Sequence, residues 1–505
     1  MDTKGLRQKI LDLAIRGKLV PQDPNDEPAE VLLERIREQK QQMLKEGKLK
    51  KKDIKNDTII FKGEDNLHYE KFQDGTIKCI EDEIPFEVPE GWAWARLRDI
   101  CMMSAGKSKS TDQIKSEPFE ESYPCFGGNG VRGYVDEYNQ DGIFSIVGRQ
   151  GALCGNINIA IGKFYATEHA VVTTLFDGID FKWSNYILEA LRLNNYATGA
   201  AQPGLSVANI LNVFVPVPPT QEQDRIGNNV YESLKIVEAL EQEKIDLQKI
   251  IITAKTKILD LAIRGKLVPQ DPNDEPASVL LERIRTEKEE LIKQGKIKRD
   301  KKESVIFKGD DNSYYLRTGR VEESLEDWRF DDLPETWKIC CLGELCDYGD
   351  CINVNTEDIA EDAWILDLED IEKDTGTVLK KVTKDQRNSV STKHKFHSGQ
   401  VLYSKLRPYL NKVVLSDADG YCTSEILPLE FKNCVLPEYA RYYLMSGTFI
   451  AYANHCSYGV KMPRLGTTDG KKAIFSLPPL SEQKRIVETI DFCFVQLNKI
   501  SEALA

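Results

Sequence analysis

The stretch ILDLAIRGKLVPQDPNDEPA at residues 10–29 returns without a change at residues 258–277. Extended to residues 10–37, the match at an offset of 248 is broken only where Glu30 faces Ser278. Weaker echoes follow at similar spacing: IIFKGEDN (59–66) with VIFKGDDN (305–312), PEGW (89–92) with PETW (334–337), and PPTQEQDRI (218–226) with PPLSEQKRI (478–486). The plan is repeat, variable, repeat, variable, repeat, the mark of an internal duplication.

From Pro219 the apolar positions Ile226, Val230, Leu234, Val237 and Leu240, then Leu247, Ile251, Ala254, Ile258 and Leu261, step by threes and fours. That spacing predicts one amphipathic helix of roughly 40 residues, about 60 Å long. Gly265 is its natural stop, and a Pro/Asp/Asn turn leads to a second helix over about Pro276 to Lys293, ended by Gly295. Ile486, Ile490, Phe494, Leu497 and Ile500 repeat the start of the long helix at an offset of 260, and the N-terminus repeats its end. The chain therefore reads as a ring opened within one helix, and two equivalent helical units in a ring are most simply related by a pseudo-two-fold axis.

The expected fold class is α+β: two α/β domains separated by long antiparallel helices in a cyclic repeat. The expected boundaries are an N-terminal helical region at 1–47, a linker or hairpin at 48–84 and a first globular domain at 85–219. A central helical region at 220–295, a second linker or hairpin at 296–330, a second globular domain at 331–479 and a C-terminal helix at 480–505 complete the chain. The globular regions carry short β-rich runs such as HAVVTTLF and NKVVLS, broken by Gly and Pro turns.

At 505 residues the chain exceeds one ordinary core. No apolar run reaches the length of a membrane span and no secretory signal begins the sequence, which places it in the cytoplasm and off the membrane. Its 12 cysteines are read as reduced and mostly buried, since Cys340, Cys341, Cys346 and Cys351 contain no C-x-x-C pair and have no nearby paired histidines. A net charge of −13 does not exclude nucleic acid, because residues 380–412 concentrate nine Lys and Arg against a single Asp.

Catalytic motifs fail on context. FGGNG (126–130) has the outline of an S-adenosylmethionine loop, but the following VRGYVDEYN has turn and strand character and no Asn/Asp-Pro-Pro-aromatic tetrapeptide occurs. CMMSAGKS lacks the first glycine of a phosphate loop, and Glu168 with His169 has no second histidine or nucleophile beside it. The basic runs KLKKKDIK (48–55) and KIKRDKK (296–302) are read as solvated linkers.

Charged residues were kept with the apolar ones in the duplicated stretch, which points to two copies of one partner. The candidate partner-binding residues are Asp12, Arg16, Lys18, Glu34 and Arg35 in the first copy, and Asp260, Arg264, Lys266, Glu282 and Arg283 in the second.

Taken together, the PP-x-x-EQ-x-RI motifs at 218–226 and 478–486, the twice-used ILDLAIRGKL helix end and the two globular regions resemble the specificity subunit of type I restriction-modification enzymes over nearly the whole chain. The resemblance implies a chain without catalysis or cofactors of its own. Two domains would read the two parts of a split, asymmetric site in double-stranded DNA. The helices would set the gap and dock two modification (methyltransferase) subunits, with restriction/translocase subunits joining through the complex. S-adenosylmethionine, ATP and Mg are then expected on those partners. A DNA adenine methyltransferase with its own active site is the competing class, and a purely structural coiled-coil protein a third.

On that reading, Lys107 and Lys109 suit phosphates, and Asn129, Arg132, Arg149 and Gln150 can pair with purine edges. Gly127, Gly128, Gly148 and Gly151 would let DNA and backbone come close. In the second domain the candidates are Lys405, Arg407, Tyr409, Asn411 and Lys412, with Lys461 and Arg464.

Overall fold

The computed structural model describes residues 2–504 except 152, 200–203, 299–303, 312, 326–332 and 388–389. The chain divides into two compact units, Met1–Lys244 and Ile245–Ala505. The division falls inside a single helix, Thr220–Ile263, of 44 residues. The central helical region expected at 220–295 is thus shared between units.

In the first unit, helix Thr3–Ile15 buries Ile10, Leu11, Ala14 and Ile15, one face of the duplicated stretch. Ala29–Lys45 forms the second helix and buries Leu32, Leu33 and Ile36. Both faces join the start of the long helix, where Ile226, Val230, Leu234 and Val237 are buried in the same core as Trp183, Ile187 and Val215. Burying these side chains on a shared core is what makes an amphipathic helix stable.

The second unit repeats this logic with the other end of the long helix. Leu259, Ala262 and Ile263 share a core with Leu280 and Leu281 of helix Ala277–Lys293 and with Ile486 and Ile490 of helix Leu480–Leu504. Each unit therefore contains the end of one long helix and the beginning of the next.

Residues 48–84 are more than the expected linker or hairpin. Strands Ile59–Lys62, His68–Lys71 and Ile77–Cys79 form a three-stranded antiparallel sheet. Its turn is fastened by the Tyr69 hydroxyl, which donates to Asp65 at 2.7 Å, and Phe61 stacks on Tyr69. In the second unit Ser304–Lys308, Tyr314–Thr318 and Val321–Ser324 form the same sheet, with Tyr315 donating to Asp311 at 2.7 Å. Ile306, Leu316 and Leu325 seal it against Ile339, Cys341 and Ile474. Of the second basic run, residues 299–302 lie outside the described residues.

Each globular region opens and closes on a two-stranded antiparallel root. Ala93–Arg96, just after PEGW, pairs with Phe214–Val217, just before PPTQEQ. Lys338–Cys341 pairs with Ile474–Leu477 in the same way. Above the first root lies a six-stranded sheet in the order Cys101–Ala105, Ala170–Leu175, Gln140–Gly148, Ile157–Ala166, Tyr123–Gly127, Gly130–Val135. Above the second lie a five-stranded sheet (Ile352–Val354, Lys393–Phe396, Gly420–Thr423, Trp364–Leu366, Val382–Thr383) and a three-stranded one (Val413–Leu415, Val401–Ser404, Ile426–Leu429). The repeated frame carries two differently woven sheets.

Candidate nucleic-acid interface

The repeated motifs turn out to bolt each globular region to its helices. Gly17 has φ +64°, and a Cβ there would sit 2.4 Å from Pro89; Gly265 has φ +65° and meets Pro334 at 2.5 Å. Only glycine fits both the left-handed turn and the close approach. The Trp92 indole N–H donates to Glu222 at 3.0 Å, and the Gln22 amide donates to the same carboxylate at 3.2 Å. Trp337 donates to Glu482 at 2.9 Å, with Gln270 on its other oxygen. Burial pushes the pKa of both glutamates up against the pull of these donors.

The next letters of the motif work similarly. The Gln223 amide donates to the Pro218 carbonyl at 3.0 Å and its oxygen accepts from Asp180 N–H at 2.9 Å. Gln483 makes the matching bonds to Pro478 and Leu436. Arg225 pairs with Asp26, and Arg485 with Asp274.

Several candidate partner-binding residues are engaged within their own helix or turn. Asp12 pairs with Arg16 at 2.8 Å, and Asp260 with Arg264 at 2.9 Å. Arg35 pairs with Glu27, Arg283 with Glu275, and Glu34 with Arg37. Lys18, Lys266 and Glu282 are exposed. Internal fastening thus accounts for part of the identity between the copies.

At the far end of the first sheet, five loops are stitched together by hydrogen bonds. Arg149 N–H donates to the His169 carbonyl at 3.1 Å, and Leu205 N–H donates to the Arg149 carbonyl at 2.8 Å. Thr198 and Gly204 exchange both backbone hydrogen bonds, and Gly204 also bridges to Gln150. Asn156 donates to the Asn129 side chain at 2.9 Å, and Lys107 N–H donates to the Ala166 carbonyl at 3.0 Å. Lys107, Asn129, Arg149 and Gln150 are therefore gathered on one loop cluster, and Arg132 is exposed on the adjoining strand.

Two sequence expectations change here. Lys109 has a side chain only 9% exposed, bonded to Glu137 at 2.8 Å and near Asp136 at 3.7 Å, so its charge is already answered inside the domain. Gly148 serves the protein's own backbone: a Cβ there would lie 1.9 Å from the Gly128 carbonyl oxygen, whereas a Cβ on Gly151 would meet nothing within 4 Å. FGGNG is the turn of the hairpin Tyr123–Gly127/Gly130–Val135, so a strand follows Gly130 as the sequence suggested.

The second unit builds the same cluster from different letters. Leu465 N–H donates to the Lys405 carbonyl at 3.0 Å and Arg407 N–H to the Pro463 carbonyl at 2.7 Å. Tyr458 and Arg464 exchange both backbone bonds, and Arg464 bridges to Leu406. Lys405, Arg407 and Tyr409 are thus brought beside Lys461 and Arg464. The Arg464 guanidinium is held by Glu425 at 2.8 Å. Asn411 departs from expectation: it is buried, has φ +49° and donates to the Met445 carbonyl at 3.3 Å. The Lys412 amine donates to the Leu368 carbonyl at 2.5 Å, which also makes it part of the scaffold.

Position by position, Arg149 matches Lys405, Gly151 (φ +90°) matches Arg407 (φ +50°), and Thr198–Gly204 matches Tyr458–Arg464. The legible trace of this is Gly199, Pro203 and Leu205 recurring as Gly459, Pro463 and Leu465 at an offset of 260, the same offset as the C-terminal helix.

His394 is buried with its Nδ1 2.8 Å from the Ile426 carbonyl, and burial lowers its pKa. All 12 cysteines are free thiols, and no group of His, Cys, Asp and Glu is placed to hold a metal among the described residues.

A duplicated α+β scaffold that presents two unlike loop clusters defines a two-site recognition protein. The family profile described as Type I restriction modification DNA specificity domain matches residues 89–254 and 334–503. The chain belongs to this family, carries its domain twice, and is a DNA specificity subunit of the type I restriction-modification class. It is 28% identical to the Type I restriction enzyme EcoAI specificity subunit of Escherichia coli, over 98% of this chain and 90% of that one. Identity to the EcoEI specificity subunit of the same organism is 26%, over 99% and 90%. The fold also matches a solved structure described as the structural basis of complex assembly and conformational transition of the type I R-M system. That match has a TM-score of 0.50 and 15% identity, over 83% of this chain and 94% of the other.

Proposed function

We propose that each globular region reads one half of a bipartite, asymmetric site in double-stranded DNA, and that the chain itself catalyses nothing. The long helix and its counterparts act as spacer and as docking surface for two methyltransferase subunits, through which restriction/translocase subunits join. S-adenosylmethionine, ATP and Mg belong to those partners, and the complex works in the cytoplasm. Among the described residues no helix is long and apolar enough to cross a membrane.

The observation that carries this reading is the pairing of a matched frame with unmatched side chains: two loop clusters closed by the same backbone bonds, one presenting Arg149 and Gln150, the other Lys405 and Tyr409. A shared scaffold with different side chains is what two different half-sites require, because base edges are distinguished by side chains and not by backbone geometry.

The test is to exchange residues 331–479 for the corresponding region of another such subunit and map methylated adenines across the genome. One half of the methylated motif should change and the other persist. Change in both halves would refute the division of labour, and S-adenosylmethionine binding by the isolated chain would refute the assignment of chemistry to its partners.

A further inference from the structure

The loop Tyr458–Arg464 is set up differently from an ordinary solvated turn. Its ends are locked by the paired backbone bonds of Tyr458 and Arg464, by Glu425 on the Arg464 guanidinium, and by Arg407 N–H on the Pro463 carbonyl. Gly459 has φ +97°, and a Cβ there would press on the Met462 carbonyl at 3.2 Å, so the turn is fixed by glycine. Gly199, at the equivalent place in the first unit, has the same φ of +97°.

What this rigid frame holds out is apolar. Val460 is 101% exposed, Tyr458 62% and Met462 44%. Val460 packs against nothing, and Tyr458 and Met462 leave much of their apolar surface in water beside it, as at a contact surface. Cations stand beside it: Lys461 within the tip, and Lys405 on the adjoining loop. Cations flanking an apolar tip complement a polyanion that displays apolar groups between its phosphates, as duplex DNA does with the thymine methyls of its major groove.

The internal repeat separates frame from content. Glycine, proline and leucine recur at 199, 203 and 205 and at 459, 463 and 465, whereas the three tip letters are Ala-Ala-Gln at 200–202 and Val-Lys-Met at 460–462. We infer that the tip of this loop is a base-reading element of the second domain, with Val460 and Met462 recognising an A·T pair through the thymine methyl and Lys461 holding a phosphate. The inference rests on the DNA-reading role proposed above. The thymine methyl is the one apolar group that the major groove displays, and it offers an apolar tip sequence information without a hydrogen bond.

The experiment uses the full chain assembled with its methyltransferase subunits. Binding is measured to duplexes carrying its methylated motif, with each base pair substituted in turn and with deoxyuridine replacing each thymine. In the wild type, deoxyuridine at one or two neighbouring positions of the second half-site should weaken binding about fourfold, the worth of one buried methyl group. The double variant Val460→Ala/Met462→Ala should lose that sensitivity and relax discrimination at the same positions, with the first half-site unaltered. Lys461→Ala should weaken binding to all sequences alike and lower the salt dependence by about one counterion.

A thermal unfolding midpoint equal to wild type checks that the alanine variant is folded, and replacing residues 460–462 by Ala-Ala-Gln gives a second construction with the same expectation. Unchanged discrimination at every position in a folded variant would overturn the inference and leave the proposed function standing. A wild-type complex with no sequence preference would overturn the function beneath it.

Discussion

Glu222 accepts from Trp92 and Gln22 at the root of the first unit, and Glu482 does the same for Trp337 and Gln270 in the second. Glu222→Gln puts an amide N–H against one of two donors, and a mismatched buried donor costs about 1–3 kcal/mol. Urea unfolding should record that loss, and Glu482→Gln should give a similar one. Asp99 offers a pH test. Withdrawal from solvent pushes its pKa from 3.8 to about 6, against the pull of Lys40 and of the Arg96 N–H that donates to it at 2.9 Å. A raised carboxyl favours the folded state when protonated, so its stabilisation is complete below the unfolded value and is lost as pH rises through about 6. Asp99→Asn should therefore flatten the fall in thermal stability between pH 4 and 6, by about 1–2 kcal/mol after screening. The Trp, Gln and Glu letters were visible as repeats, but their mutual bonding was not, since Gln22 and Glu222 lie 200 residues apart.

At the scale of the element, the small sheet at 59–79 is where charge patterning misled. Its lysine-rich approach and short strands look like a solvated linker, and burial of Glu70 was not legible from strands with so few apolar residues. Glu70 is 2% exposed, accepts from Thr58 at 2.6 Å and is bonded by Arg96 at 2.6 and 2.7 Å. Burial opposes ionisation of Glu70, but the Arg96 and Thr58 bonds outweigh it and lower its pKa. Glu70→Ala leaves Arg96 partly buried without its partner, and we expect a loss of about 3 kcal/mol in denaturant unfolding. The long helix was the opposite case. Its apolar steps set its length at about 40 residues, and the structure gives 44. In Gly17→Ala the added methyl would overlap Pro89, and the left-handed backbone would be strained as well. That substitution should cost at least about 1 kcal/mol in thermal unfolding.

For the whole molecule, the unit of folding differs from the unit of repetition. The repeats mark a helix that starts at residue 220, whereas the compact bodies divide at 244/245 within it. If this helix sets the gap between the half-sites, four residues inserted after Lys244 add about 6 Å, close to two base pairs at about 3.4 Å each. Methylation mapping should then find both half-motifs intact and the gap longer by about two. An unchanged gap would remove the helix from setting the spacing.

By itself the sequence determined the duplication, the helical frame and the presence of two unlike readers, because helical periodicity and repeated motifs are local properties that a chain displays along its length. Of the candidate interface it named side chains but not their exposure. Tertiary structure decided which candidate side chains face outward, burying Asn411, pairing Lys109 with Glu137 and bonding the Lys405 carbonyl to Leu465. Exposure and pairing depend on segments far apart in the chain, such as 405–407 against 463–465, and no local pattern encodes which of them meet.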